Sequence, residues 1–347
     1  MNPEYSVRPY VPEDRPSLEE LYRAVYGEVW REKSNLGWTL DRPLREGGAM
    51  VAMQNGTVAS AQPYCDMELH TPWGPDRATL FMDLATHPDH QRRGLFRRVV
   101  IAASAAAFQR GASIIMTTPN RISSRGFRMM PDWRRLCGLD CLILPLGSGD
   151  RVQDSGLISG VARLVLAAGA LFCGKSKESE KGTNVLWLPG VDADELWERA
   201  SKGGSILVKR DRAFLEWRFR SNYQLFLARE SRCPVAYTAV RVVDRAGLKI
   251  GMVMDCVAAD DGESAVRLMK SVMARLKEQG VSIAAGFFLR GSDFWNWARR
   301  AGFMSLPRIC SPRDYPVYVS VRPGNRHSAD LLNPTFWQFS LADSDLV

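Results

Sequence analysis

The feature that most constrains this 347-residue chain is an internal repeat. The string MDLA at residues 82–85 returns as MDCV at 254–257, an offset of 172. GASIIM at 111–116 returns as GVSIAA at 280–285, an offset of 169. Each copy reads as an apolar strand, a helix stopped by glycine and a second apolar strand. The later copy is three residues shorter between its first strand and its helix. A duplication at this scale requires both halves to find the same packing solution. Length agrees, since one hydrophobic core stops growing at roughly 250–300 residues. The expected division is a module at 1–147, a linker at 148–183 and a second module with a C-terminal tail at 184–347. The boundary between the halves is Gly/Ser/Asp-rich at 146–156 and carries the charged KSKESEKG at 175–182. Between them 157–173 is apolar, with Arg163 inside it. A spanning helix needs about 20 apolar residues, and a central arginine costs roughly 2.5–3.5 kcal/mol on insertion scales. No membrane span is therefore expected there. The segment predicts a helix packed between the modules, with contact at a membrane interface as the minority reading.

Periodicity places the remaining elements. A short strand is expected at 6–10. A helix is expected at 13–30, with Leu18, Leu21, Tyr22, Val25 and Val29 at three- and four-residue steps. Strands at 49–52 and 58–64 flank the turn Gln54-Asn55-Gly56. Residues 78–86 are almost continuously apolar apart from Asp83, which predicts a central strand buried on both faces and ended by Pro88. A helix at 95–110, stopped by Gly111, and a strand at 112–117 complete the first copy. The second copy predicts a strand at 248–257, a helix at 264–279, a strand at 281–288 and an aromatic-rich helix at 294–300.

Hydrophobic residues make up 46% of the chain and charged ones 24%, which excludes wholesale disorder. The net charge of +8 is concentrated. Between residues 89 and 135 there are ten arginines, at 92, 93, 97, 98, 110, 121, 125, 128, 134 and 135, opposed only by Asp89 and Asp132. Nucleic-acid binding would need aromatic residues interleaved with these for base stacking, and only Phe96, Phe108, Phe127 and Trp133 occur. A compact anion such as a pyrophosphate fits better, and no nucleic-acid partner is expected. The seven cysteines (65, 137, 141, 173, 233, 256 and 310) are scattered, with no C-x-x-C. That spacing argues against a disulfide framework or a zinc ribbon and suits a reducing, cytoplasmic compartment. The polar, proline-bearing start MNPEYSVRPYVPEDRP does not read as a signal peptide.

The informative string is LFMDLATHPDHQRRGLFRR at 80–98. A buried strand ends at His87-Pro88, and Gln91-Arg92-Arg93-Gly94-Leu95-Phe96 runs straight into a helix. The first turn of a helix leaves amides unpaired, and its dipole favours negative charge. Gly94 lets the backbone approach a ligand closely, and Arg92 and Arg93 can add charge-assisted hydrogen bonds. Over about residues 5–137 the chain resembles the GNAT superfamily of acyl-CoA-dependent N-acyltransferases. Their pyrophosphate loop, Q/R-x-x-G-x-G/A, is matched by Gln91 and Gly94, with Phe96 in place of the final small residue. The second half resembles the same fold more faintly. Asp260-Asp261-Gly262-Glu263 stands at its loop position, where three acids would repel a pyrophosphate. The stretch 211–219 and the terminal FWQFSLADSDLV look like a two-module bacterial branch.

The resemblance implies an α/β (α+β, GNAT-like) chain of two tandem modules. Each would be a mixed, mostly antiparallel twisted sheet flanked by helices, with the second degenerate. It implies acetyl-CoA or another acyl-CoA as co-substrate, a primary amine such as an amino sugar as acceptor, direct transfer between them, and no metal. Backbone amides of Leu84, Ala85 and Thr86 would polarise the thioester, and Asn120 and Ser123 match positions that touch the cofactor arm. The tyrosine that serves many relatives as acid is missing from 120–127, and the CoA thiolate is a good enough leaving group to depart without it. Candidate bases are Asp83, whose counterpart Asp255 suggests a structural role for both, and Asp345 or Asp343 on a returning tail. Glu68 and His70 read as solvated loop. His87 and His90 form H-x-x-H without a visible third ligand, so no metal is expected. Phe294, Trp295 and Trp297 could floor an acceptor site, though their spacing is more usual for core. The alternatives are a non-catalytic acyl-CoA-binding scaffold and an aminoacyl transferase of the peptidoglycan-bridging kind. The intact phosphate loop argues against the latter.

Overall fold

The computed structural model describes residues 4–34, 36–147, 185–186, 189–201, 203–220, 222–245, 247–307 and 315–344. The expected linker helix at 157–173 and the candidate base Asp345 lie outside them. In the first half the elements are β1 (Ser6–Pro9), α1 (Arg15–Tyr26), β2 (Gly47–Gln54), β3 (Thr57–His70), β4 (Asp76–Phe81) and β5 (Ala85–Thr86). They are followed by α2 (Leu95–Gln109), β6 (Ile114–Thr117), α3 (Arg121–Arg128) and β7 (Arg134–Pro145). The second half holds β8 (Val185–Leu186), α4 (Val191–Ala200), β9 (Leu207–Val208), α5 (Arg212–Arg218), β10 (Gln224–Glu230) and β11 (Cys233–Arg245). It ends with β12 (Leu248–Ala258), α6 (Glu263–Glu278), β13 (Ile283–Leu289), α7 (Asp293–Arg300), β14 (Met304–Ser305) and β15 (Tyr315–Val321).

All these strands join one mixed sheet whose main path runs β1-β2-β3-β4-β6-β15-β7-β13-β12-β11-β10-β8, with β5 and β9 pairing with β3 and β14 with β7. Only β4/β6 and β12/β13 pair in parallel, and each of these pairs is bridged by a long helix, α2 or α6. The order strand, long helix, parallel strand, short helix, strand therefore recurs, as the repeated strings predict. The last strand of each set crosses to the other half. β15 pairs with β6, and β7 pairs with β13. The two crossing strands also pair with each other at the centre. α2 buries Leu95, Val99, Val100, Ala103 and Ala107 against the sheet. α6 does the same with Leu268, Met269, Val272, Met273 and Leu276. One large core runs from Leu80 and Met116 through the central strands to Phe226 and Trp337.

Several expected elements are corrected. The helix expected at 13–30 stops as α1 at Tyr26, because Gly27 at φ 70° leaves the helical region. Glu68 and His70 lie inside β3 rather than in a loop, and Glu68 pairs with Arg45 and Lys209. Arg110, expected to point away, is mostly buried. It bonds Asp66 at 3.1 Å and stacks 4.2 Å above the Tyr64 ring. The strand expected at 78–86 is broken at 82–84.

Candidate active site

That break is the first part of the site. β4 pairs with β6 from Ala78/Ile114 to Leu80/Met116, and past that point the two parallel strands part. On its other side the chain leaves β3 at Phe81/Tyr64 and returns at Ala85/Ala61, so four steps oppose three. One extra residue makes a bulge, the device by which a sheet re-aims its backbone. Asp83 takes φ 48° there, so it sits half-buried on the bulge and not on a buried strand. Three buried side chains brace the turn. Tyr22 Oη donates to Asp83 O at 2.6 Å, and Gln62 Nε2 donates to Met82 O at 3.1 Å. Ser60 Oγ donates to Ala85 O and lies 2.8 Å from Thr86 Oγ1. Among the described residues the Leu84 amide donates to no backbone carbonyl. His87 N bonds Ala59 O. By the alternation of an antiparallel ladder, Ala85 also faces β3 while Thr86 turns its amide to the parted side.

The second part is the loop before α2. Arg92 and Gly94 sit at φ 60° and 75° on either side of Arg93, so φ alternates in sign. Such alternation turns successive amides towards one concavity, an anion-binding nest. Among the described residues the amides of Arg92, Arg93 and Gly94 donate to no backbone carbonyl. Gln91, Arg92 and Arg93 are exposed, and nothing lies within 4 Å of the Cβ that Gly94 lacks. Leu95 is buried beneath. Phe96, the departure from a small residue, points inward. Its ring lies against Gly126, where a Cβ would come within 2.5 Å, and meets Phe127 edge-on at 5.2 Å. α3 is thereby held beside the loop. Asn120 caps α3 by accepting from the amides of Ile122 and Ser123 at 2.9 and 3.0 Å, and Ser123 is half-buried. Ahead of the loop, His90 Nδ1 meets Tyr5 Oη at 2.9 Å. Partial burial, then the neighbouring His87 and Arg93, hold His90 below the ordinary histidine range.

The second half repeats this geometry and fills it. Gly262 precedes α6 at φ 92°, as Gly94 precedes α2. The Asp260 carboxylate accepts from the amides of Gly262 and Ser264 at 2.9 and 3.1 Å, and Asp261 accepts from Glu263 at 3.4 Å. The Trp297 indole fills the place of the missing Cβ, its Nε1 only 1.8 Å from that position. Trp297 is thus a seal, not an acceptor floor; Phe294 is buried in the core, and Trp295 packs partly buried against it. β12 and β13 part after Val253/Gly286. There the C-terminal segment enters: Leu289 N donates to Phe339 O, and Ser340 Oγ donates to Asp255 Oδ1 at 2.7 Å. Asp343 joins the same buried group and does not reach the bulge at 82–84. Arg210 bonds Asp255 and Asp343, each at 2.8 Å, and Tyr237 Oη donates to Asp255 at 2.5 Å. Burial, outweighing Arg210, holds Asp343 above the usual carboxylate range. Asp255, the sequence counterpart of Asp83, is thus an interior ion-pair partner, whereas Asp83 sits half-buried on a bulge.

One residue near the parted strands escaped sequence reasoning. Tyr318 on β15 pairs with Thr117, the first residue of β6 beyond the parting, and packs against Phe127. Its hydroxyl makes no hydrogen bond among the described residues. Only the strand crossing brings it there, and no local motif announces a partner some 200 residues away. A cleft also runs between residues 42–45 and α5, lined by Arg45, Glu68, Lys209 and Asp211. Lys209 bridges Glu68 and Asp211 at 3.2 and 3.1 Å. Among the described residues no cluster of metal-ligating side chains occurs, and no helix is long and apolar enough to cross a membrane.

A family model described as an acetyltransferase (GNAT) domain matches residues 6–129. No curated protein matches the chain. Among solved structures, a GCN5-related N-acetyltransferase from Anabaena variabilis aligns with a TM-score of 0.63 at 10% identity, covering 92% of this chain and 73% of that one. A conserved Enterococcus faecalis protein of unknown function, described as a probable N-acyltransferase, gives 0.61 at 10% identity with the same coverages. Saccharomyces cerevisiae N-myristoyltransferase with bound myristoyl-CoA gives 0.58 at 11% identity, covering 91% and 79%.

Proposed function

Since the chain belongs to the GNAT superfamily, by its segment 6–129, we propose that it is an acyl-CoA-dependent N-acyltransferase with one working site, in its first half. The observation that carries this is the contrast between two equivalent helix starts. The amides at Arg92–Gly94 lie beside two arginines without ion pairs, whereas those at Gly262–Ser264 are taken by the chain's own carboxylates. In this reading the Gln91–Phe96 turn holds the pyrophosphate of CoA, and the Asn120–Ser123 start of α3 flanks the arm. The thioester lies where β4 and β6 part, its carbonyl facing the amides of Leu84 and Thr86, with Ala85 anchoring them to β3. A donor of that kind is typically worth roughly 2.7–4 kcal/mol of barrier.

The acceptor is a neutral primary amine, an amino sugar being one candidate. Its nitrogen bonds the acyl carbon, the C–S bond breaks, and the proton lost from nitrogen passes to Asp83 or to water. Tyr318 supplies a proton to the departing sulfur, in place of the tyrosine missing from α3. Direct transfer is favoured over an acyl-cysteine, because burial pushes the Cys65 thiol, on β3 opposite Leu80, up to about 11. A thermal-shift titration with acetyl-CoA tests the reading. Wild type should be stabilised. Arg92→Ala with Arg93→Ala should lose the shift while keeping the apo melting temperature, since both side chains are exposed. Thiol release with pooled amines should fall in Tyr318→Phe through kcat at unchanged KM for acetyl-CoA. No shift with acetyl-CoA or a longer acyl-CoA would overturn the proposal.

A further inference from the structure

Many arginines elsewhere in this molecule meet carboxylates: Arg110 meets Asp66, Arg210 meets Asp255 and Asp343, Arg229 meets Asp192 and Arg290 meets Asp140. Around α3 the pattern inverts. Arg92, Arg93, Arg97, Arg121, Arg125, Arg128 and Arg134 are all exposed, and none forms an ion pair among the described residues. At 100° per residue, Arg128, Arg121, Arg125, Met129 and Ile122 fall in succession within an arc of about 120°. Ser123, Gly126 and Phe127 occupy the inner side, with Phe127 buried. Ile122 is 83% and Met129 85% exposed, the two most exposed large apolar side chains among the described residues. Packing of Phe96 on Gly126 places this arc beside the loop arginines, so the charges form one field.

We propose that the outer arc of α3, with the arginines beside it, docks the protein on an anionic lipid bilayer. Setting Arg92 and Arg93 aside for a ligand of the loop, five exposed arginines without ion pairs among the described residues remain. Naked apolar tips set among guanidinium groups match the layering of a bilayer surface, where phosphates lie above the acyl region and arginine stems span the boundary. An acidic soluble protein would satisfy the arginines by charge alone, and it is the competing outcome. This inference does not rest on the acyltransferase reading, and the acetyl-CoA thermal shift scores that reading separately.

The test is co-sedimentation of the full chain with phosphatidylcholine vesicles, with and without phosphatidylglycerol. Binding should require phosphatidylglycerol and weaken as salt rises. Each arginine near such a surface contributes roughly five-fold, so Arg121→Gln, Arg125→Gln and Arg128→Gln together should cut partitioning about 100-fold. Ile122→Ser with Met129→Ser leaves the charge unchanged and should cut it about ten-fold. Circular dichroism establishes that the variants fold. Failure of the wild type to bind phosphatidylglycerol vesicles overturns the proposal. So does an unchanged partition of the serine variant, which would point to an acidic partner recognised by charge.

Discussion

Replacing Gly126 by alanine probes the joint between α3 and the loop that precedes α2. A Cβ at this position would lie 2.5, 2.6 and 3.0 Å from three atoms of the Phe96 ring. The ring is also held by Phe127, so it has to rotate out of its packing. Overpacking of this kind costs about 1–3 kcal/mol, and alanine's helix propensity returns about 1 kcal/mol. Gly126→Ala should therefore destabilise the wild type by about 1 kcal/mol. In a Phe96→Ala background the obstruction is gone and only the propensity gain remains, so the same substitution should stabilise by about 1 kcal/mol. The coupling energy is then about 2 kcal/mol, well outside the ~0.5 kcal/mol expected of independent sites. Urea unfolding of the four proteins measures it. Because Phe96 lies in the first turn of α2, Gly126→Ala should also weaken acetyl-CoA stabilisation. A Gly126→Ala effect of the same sign and size in both backgrounds would refute the packing argument.

Gly262→Ala should be far worse than Gly94→Ala. Both put a side chain at positive φ, but only the former drives a Cβ into the Trp297 indole, so chemical denaturation should show a loss of about 3 kcal/mol or more against about 1–2 kcal/mol. Arg210→Ala leaves Asp255 and Asp343 buried without their cation and should cost about 3–5 kcal/mol at neutral pH. The deficit should shrink as pH falls, since carboxylates stranded in the interior have raised pKa values and folding then favours their protonated forms. His90 is held below its ordinary 6.5 in the folded chain, so below that pH the unfolded state binds the proton first. Stability contributed by neutral His90 should thus be lost as pH falls through this range, narrowing the gap between wild type and His90→Gln in melting experiments. On the proposed reading, bound acetyl-CoA places negative charge near His90 and raises its pKa, so binding should be coupled to proton uptake by the protein, which calorimetry in buffers of different ionisation enthalpy detects.

Local patterns in the sequence carried the elements that local physics decides. The glycine stops after both long helices, the Asn55-Gly56 turn and the strand-loop-helix order around Gln91–Phe96 all stand where periodicity puts them. What sequence could not carry is geometry made by distant pairing. Residues 78–86 are almost continuously apolar apart from Asp83 and so read as one strand. The break at Met82–Leu84 is set by a one-residue mismatch against β3 and by Tyr22, Gln62 and Ser60, which lie 20 or more residues away. Asp83 and Asp255 align in sequence, yet only Asp255 has Arg210 beside it. Phe96 looked like a misfit in a loop motif because its counterpart, Gly126, comes from the next helix but one strand away.

The recurring order of strand, long helix and parallel strand lets the two halves treat the turn into the long helix differently without losing the fold. Gly94 and Gly262 keep the same left-handed backbone, so the turn into each long helix survives whatever surrounds it. In the second half the freed amides still require acceptors, because unpaired amides at a buried helix start are costly. Asp260 and Asp261 supply them from the chain itself, and Trp297 closes the space a ligand would enter. The C-terminal segment does the same for the parted strands, bonding Leu289 and Asp255 beside the gap. The second half pays back structurally: by crossing to β6, its last strand supplies Tyr318 at the edge of the first half's parting. The half whose loop is sealed therefore completes the half whose loop is not.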